Sequence, residues 1–137
     1  MAIDTSRMGS LVGEIDRVGL EATNRRQPPA VGGLVQSAAL STLVWQQVIG
    51  SGDLSRLSSP DAATLYELYR STEAANYLAA QVPMYLQTAN LSTDADVQAA
   101  FQAEARRFST EGLDEIIAAV PPARAVAERR SSWWARK

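Results

Sequence analysis

Proline and glycine cut this chain into pieces of helical length, and no piece shows the strict polar–apolar alternation of a half-buried strand. The clearest break is Gln27-Pro28-Pro29-Ala30-Val31-Gly32-Gly33, where tandem prolines remove backbone donors and the glycines accept positive φ. Before it, Met8, Leu11, Val12, Ile15 and Val18 recur at helical spacing and predict a helix over 5–24, capped by Asp4 or Thr5. After it, Leu40, Val44 and Val48 predict a second helix over 36–50, stopped by Gly50 or Gly52. Asp53 to Leu57 read as a linking turn whose Leu54 and Leu57 enter the core.

Ser59-Pro60-Asp61 is a strong start signal: a cap, a proline suited to the first helical position, and a carboxylate at the positive end of the dipole. The third helix is predicted over 60–81. Its wheel puts Leu65, Leu68, Tyr69, Thr72, Ala75, Asn76 and Ala79 on one side and Tyr66, Arg70, Glu73, Tyr77 and Gln81 on the other. Pro83 kinks or ends it, leaving 84–90 as a separate turn or two. A fourth helix, capped by Ser92 or Thr93, is predicted to about 119 from the stripe Val97, Phe101, Ala105, Phe108, Leu113, Ile116, Ile117 and Val120. Gly112 weakens its middle, with Ser109-Thr110 as a restart point, and Pro121-Pro122 ends it. Ala123 to Trp134 then form a final short helix. The expected fold is an all-α helical bundle of four main helices plus a short C-terminal helix, divided into a 1–122 domain and a 123–137 tail. Its expected core includes Leu40, Trp45, Leu54, Leu65, Tyr69, Phe101, Phe108 and Ile116.

Composition narrows the chemistry. The chain has 137 residues, one ordinary domain, with 46% hydrophobic and 20% charged residues, which favours a folded state. It has no Cys and no His. That excludes disulfides, thiolate nucleophiles, Cys/His zinc sites, haem ligation by His and Ser-His-Asp catalysis. Carboxylates are the strong general bases that remain. The closest clusters, Asp94/Asp96 and Asp114/Glu115, are one or two residues apart, and such neighbours on a helix point away from each other. Asp94 and Asp96 suit a helix N-terminus instead. Neither Gly32-Gly33 nor Gly50-Ser51-Gly52 has the context of a phosphate loop, and no twelve-residue acidic calcium loop occurs. No catalytic residue, cofactor or metal site is therefore assigned.

Four charge pairs, Arg17–Glu21, Glu67–Arg70, Glu104–Arg107 and Arg124–Glu128, have helical spacing and are read as solvated faces. Tyr66 and Tyr77 share an outer face and are read as packing residues. Asn76 falls on the buried side, where an unmet amide costs about 1–3 kcal/mol, so its expected role is to tie down a neighbouring loop or chain terminus.

The net charge of −2 conceals an asymmetry. Residues 123–137 hold Arg124, Arg129, Arg130, Arg136 and Lys137 against Glu128, a net +4, so residues 1–122 hold −6. Two tryptophans lie among these cations in Arg129-Arg130-Ser131-Ser132-Trp133-Trp134-Ala135-Arg136-Lys137. Indole rings and cations together suit a membrane interface with anionic lipid. Trp133, Trp134, Arg129, Arg130, Arg136 and Lys137 are the expected contact residues, for an anionic membrane surface or a protein partner, self-association included. Nucleic acid and small-molecule substrates are not expected. No stretch approaches the roughly 20 apolar residues of a membrane span. Asp4, Glu14 and Asp16 interrupt any signal peptide. With Met1 as the natural start, the expected location is cytoplasmic, peripheral to the inner membrane.

The series Leu40-Ser41-Thr42, Trp45, Ser51-Gly52-Asp53-Leu54, Leu57, Leu65, Leu68-Tyr69 and Asn76 resembles the helical region of a poorly characterised group of bacterial proteins, many with one membrane span near the N-terminus. The resemblance covers roughly residues 37–80. It implies structural motifs (a cap, a Trp anchor, a glycine stop and a packing Tyr) and no catalytic residues. The group's membrane span has no counterpart in this sequence. The expected function is a non-enzymatic interaction module. Its alternatives are a small structural subunit of a larger assembly, such as a phage connector or capsid-associated protein, and a small enzyme using carboxylates alone, which requires a pocket holding a carboxylate of raised pKa.

Overall fold

The computed structural model describes residues 5–26 and 39–131, and among them every regular element is a helix. Six α-helices follow in order: α1 (Thr5–Arg26), α2 (Leu43–Gly50), α3 (Ser59–Ala79), α4 (Val82–Leu91), α5 (Ala95–Thr110) and α6 (Leu113–Ser131). A single 3-10 turn, Asp53–Arg56, links α2 to α3.

Helix α6 packs on both α1 and α3. Its pairing with α1 is antiparallel, as the contacts along its length show. Ser131 lies beside Gly9, Arg124 binds Asp16 at 2.6 Å, Val120 faces Gly19, and Asp114 binds Arg26 at 2.7 Å. A side chain at Gly19 would place its Cβ 3.2 Å from Val120 Cγ1, whereas one at Gly13 would meet nothing within 4 Å. Gly13→Ala should therefore raise stability by about 0.5–1 kcal/mol through reduced backbone entropy. Gly19→Ala should bring no such gain; urea denaturation of the two variants checks the contrast.

Met8, Leu11, Ile15 and Val18 of α1 meet Trp45, Val48, Leu65, Leu68, Ile116 and Val126 in one core. Most of the α3 wheel is realised: Leu65, Leu68, Thr72, Ala75 and Ala79 are buried, and Tyr66, Arg70, Glu73 and Tyr77 are exposed, while Tyr69, Asn76 and Gln81 (past the end of α3) are half-buried. Leu57 is buried, and half-buried Leu54 and Tyr69 pack against this core. Phe101 and Phe108 do not join it. They meet the Tyr85 ring at centroid distances of 5.9 and 5.0 Å, tilted and edge-on respectively, in a half-buried cluster where α4 and α5 pair.

Several boundaries differ from the sequence reading, each for a physical reason. Helix α2 starts at Leu43, because side chains from elsewhere engage the backbone just before it, as described below. Ser58, not Ser59, caps α3 and accepts the Asp61 N–H, with Pro60 in the first turn. Pro83 likewise sits in the first turn of α4, where a missing donor costs little. Asp94, rather than Ser92 or Thr93, caps α5 by accepting the N–H groups of Asp96 and Val97. Gly112 takes φ +82°, which breaks the expected long fourth helix into α5 and α6.

Pro121-Pro122 does not end a helix: α6 runs through both. The carbonyls deprived of donors belong to Ile117 and Ala118, one turn earlier, and Ala118 and both prolines face solvent, where water can serve them. Leu113 and Ile116 before the prolines, and Ala123, Val126 and Ala127 after them, are buried and hold the helix on its neighbours. The boundary expected at 122/123 thus falls inside α6. Residues 123–131 belong to that helix rather than to a separate short one; residues 132–134 lie outside the described residues.

Candidate functional site

Two polar clusters tie the body together. The first surrounds the start of α2. Glu14, fully buried on α1, accepts the Ser41 hydroxyl at 2.7 Å and the Trp45 backbone N–H at 2.9 Å. Thr42, the N-cap residue, makes no side-chain cap of its own, so a carboxylate from another helix caps α2. Asn76 of α3 accepts the Leu40 N–H at 2.7 Å and donates to the Leu40 carbonyl at 2.9 Å. Its amide therefore serves both the donor and the acceptor of the Leu40 backbone, from a half-buried position. The Trp45 ring lies 5.9 Å from Tyr69, and its buried Nε1 has no hydrogen-bond partner. Burial pushes the Tyr69 phenol above its ordinary value, and nearby Glu73 and Tyr66 add to the shift.

The second cluster is charged. Asp53, fully buried in the 3-10 turn, accepts Arg7 Nη1 at 3.2 Å and Arg56 Nη1 at 2.8 Å. Asp61, in the first turn of α3, accepts Arg129 Nη2 on one oxygen at 2.9 Å and Arg130 Nη2 on the other at 2.7 Å. The two groups occupy one end of the molecule, because Ser131, next to Arg130, lies beside Gly9, two residues from Arg7. Among the described residues, four guanidinium groups thus gather around two carboxylates. The carboxylates are inside and the arginines partly outside: the Asp61 side chain is 16% exposed, those of Arg130 and Arg129 33% and 51%. Four arginines against two aspartates give these six side chains a formal net charge of +2.

The Arg130 guanidinium, helped by Arg129 and by the Ser58 hydroxyl, holds the Asp61 carboxyl below its ordinary value against the opposing effect of partial burial. A depressed carboxyl pKa means that this clasp contributes stability at neutral pH. The contribution is present above the ordinary aspartate range and is lost as pH falls through the lowered value.

Arg129 and Arg130 were expected as contact residues, and both stand in this cluster. Trp133, Trp134, Arg136 and Lys137 lie outside the described residues, and Arg130 is separated from Trp133 by two residues. Asp94 is a helix cap and Asp114 pairs with Arg26 across 88 residues of sequence. Of the local pairs, Glu104–Arg107 and Arg124–Glu128 are present at 3.5 and 2.6 Å, and Glu21 faces Arg25 at 3.7 Å. Arg7, Asp53, Arg56 and Asp61 were not anticipated as a group. Only Asp53–Arg56 carries a local spacing signal; the other partners are 46 to 69 residues apart.

No family model matches the chain, and no curated protein or solved structure matches it. Among the described residues, no helix is long and apolar enough to cross a membrane, and no group of acidic side chains is arranged to hold a metal ion.

Proposed function

We propose that this chain is a non-enzymatic helical bundle that docks on an anionic lipid surface through its arginine-rich end and the basic, Trp-containing segment that follows. The observation that carries the reading is the gathering of Arg7, Arg56, Arg129 and Arg130 at the end of the molecule where α6 leads into Trp133, Trp134, Arg136 and Lys137. Cations near an anionic leaflet contribute roughly 1 kcal/mol each, and interfacial indole rings add apolar burial. The acidic remainder of the chain orients the molecule, since it is repelled by the same surface. The two buried carboxylates, Glu14 and Asp53, are occupied by donors within the chain, which favours a structural role for them over catalysis.

Flotation of the full chain with phosphatidylserine-containing and with neutral phosphatidylcholine vesicles tests this. Binding to the anionic vesicles alone, weakened by added salt, is expected. Absence of flotation, or equal flotation with both, would contradict the reading. A second reading, a structural subunit of a larger assembly, is favoured by the exposed apolar side chains of Met84 and Leu91 on α4 and Val97 on α5. A discrete oligomer that persists on dilution would support it.

A further inference from the structure

We infer that two copies of this chain pair antiparallel through an uncharged stripe along α3 and α4, with Met84 at the two-fold axis. The pairing uses a different surface from the lipid docking proposed above and is independent of it.

Helices α3 and α4 form one nearly continuous rod. Ala80 and Gln81, which join them, both have helical φ and ψ. The Ala80 N–H donates to the Asn76 carbonyl at 3.0 Å and the Tyr85 N–H to the Gln81 carbonyl at 3.2 Å. The buried stripe accordingly crosses the joint without a change of spacing, through Thr72, Ala75, Ala79, Val82 and Ala89. On the outer side Tyr77, Met84 and Leu91 recur every seven residues and are 70%, 54% and 77% exposed. Seven-residue spacing of apolar side chains is the pattern of a seam that packs on another helix.

Charge identifies the occupant. No charged residue occurs between Glu73 and Asp94, although the chain carries a net −2. Two copies therefore meet along this stretch without like-charge repulsion. The exposed Gln87 and Asn90 beside the stripe are amides, each both donor and acceptor, so their own copies can satisfy them, as two carboxylates could not. The charges at the two ends set the direction. A parallel pair would hold Arg70, seven residues before Tyr77, against its own copy, and Glu73 likewise. An antiparallel pair moves both away from their copies and carries Arg70 to the acidic end of α4, where Asp94 and Asp96 stand exposed. Such an isologous contact closes after two copies.

Sedimentation equilibrium of the full chain and of Met84→Glu tests the pairing. The stripe is too short for the roughly 1,200–2,000 Å² of a stable interface, so the wild-type dimer should dissociate at about 10–1,000 μM. Met84→Glu sets two carboxylates together at the axis and should weaken pairing about tenfold or more. Met84 is exposed in the single copy, so this variant should keep its helical circular dichroism. The sequence has no Cys, which makes an introduced thiol the only one in each chain. With oxidised glutathione as oxidant, a mixture of Tyr77→Cys and Leu91→Cys chains should give the mixed disulfide dimer in excess over either homodimer. Excess homodimer would mean a parallel pair and overturn the arrangement. A monomer up to about 1 mM, or a dimer that Met84→Glu leaves unchanged, would overturn the pairing and leave the stripe to a helix of another protein.

Discussion

Trp45→Ala should lower the unfolding free energy by about 3–5 kcal/mol, the range for removal of a fully enclosed large aromatic side chain. Trp45 is the largest fully buried side chain among the described residues and lies between α1, α3 and the rest of α2. Its loss opens a cavity in the shared core, lined by residues of α1, α3 and α2. Much of a small domain's stability would go with it. Trp45→Phe should cost far less, since it keeps most of the packed ring and removes an indole N–H that has no partner. Chemical denaturation of the two variants separates the packing contribution from the polar one.

Glu14→Ala should cost about 3–6 kcal/mol, because hydrogen bonds to a charged acceptor contribute about 1.5–3 kcal/mol each and two are lost. The Trp45 N–H would be left buried without an acceptor, and α2, only eight residues long, would lose its cap. Glu14→Gln keeps one acceptor oxygen and should lose about half as much. Amide exchange at Trp45 is the specific readout: it should accelerate in Glu14→Ala beyond what the fall in global stability explains.

The two residues also show what a sequence can and cannot disclose. Trp45 was legible as a core residue because its neighbours repeat at helical spacing. The α3 face was legible for the same reason, down to Thr72 on the buried side, whose hydroxyl donates to the Leu68 carbonyl. Glu14 was not legible. A carboxylate among Leu11, Ile15 and Val18 looks like a solvated position, and its partners Ser41 and Trp45 lie across the Pro-Pro break. Asn76 was marked as a polar group in need of partners, but Leu40 as that partner comes from tertiary structure alone.

Local rules failed where packing outweighed them. Tandem prolines ordinarily stop a helix, yet α6 continues through Pro121-Pro122 because its buried residues on both sides are held against α1 and α3. Phe101 and Phe108 lie on a proper helical stripe, but the break at Gly112 lets α5 pair with α4, and the rings meet Tyr85 instead of the main core. At the candidate site, the basic character of Arg129 and Arg130 was visible, whereas their convergence on Asp61 was not. Nor was the enrolment of Arg7 and Arg56 at the same end, since nothing in a linear pattern joins residues so far apart.

Hydrogen exchange of the full chain, with and without phosphatidylserine-containing vesicles, tests the docking geometry most directly. The expected result is vesicle-dependent protection at the Asp53–Asp61 segment and the last turn of α6, with residues 82–110 unchanged. Protection confined to the α4–α5 hairpin would contradict that geometry and place the contact surface on the exposed apolar side chains there.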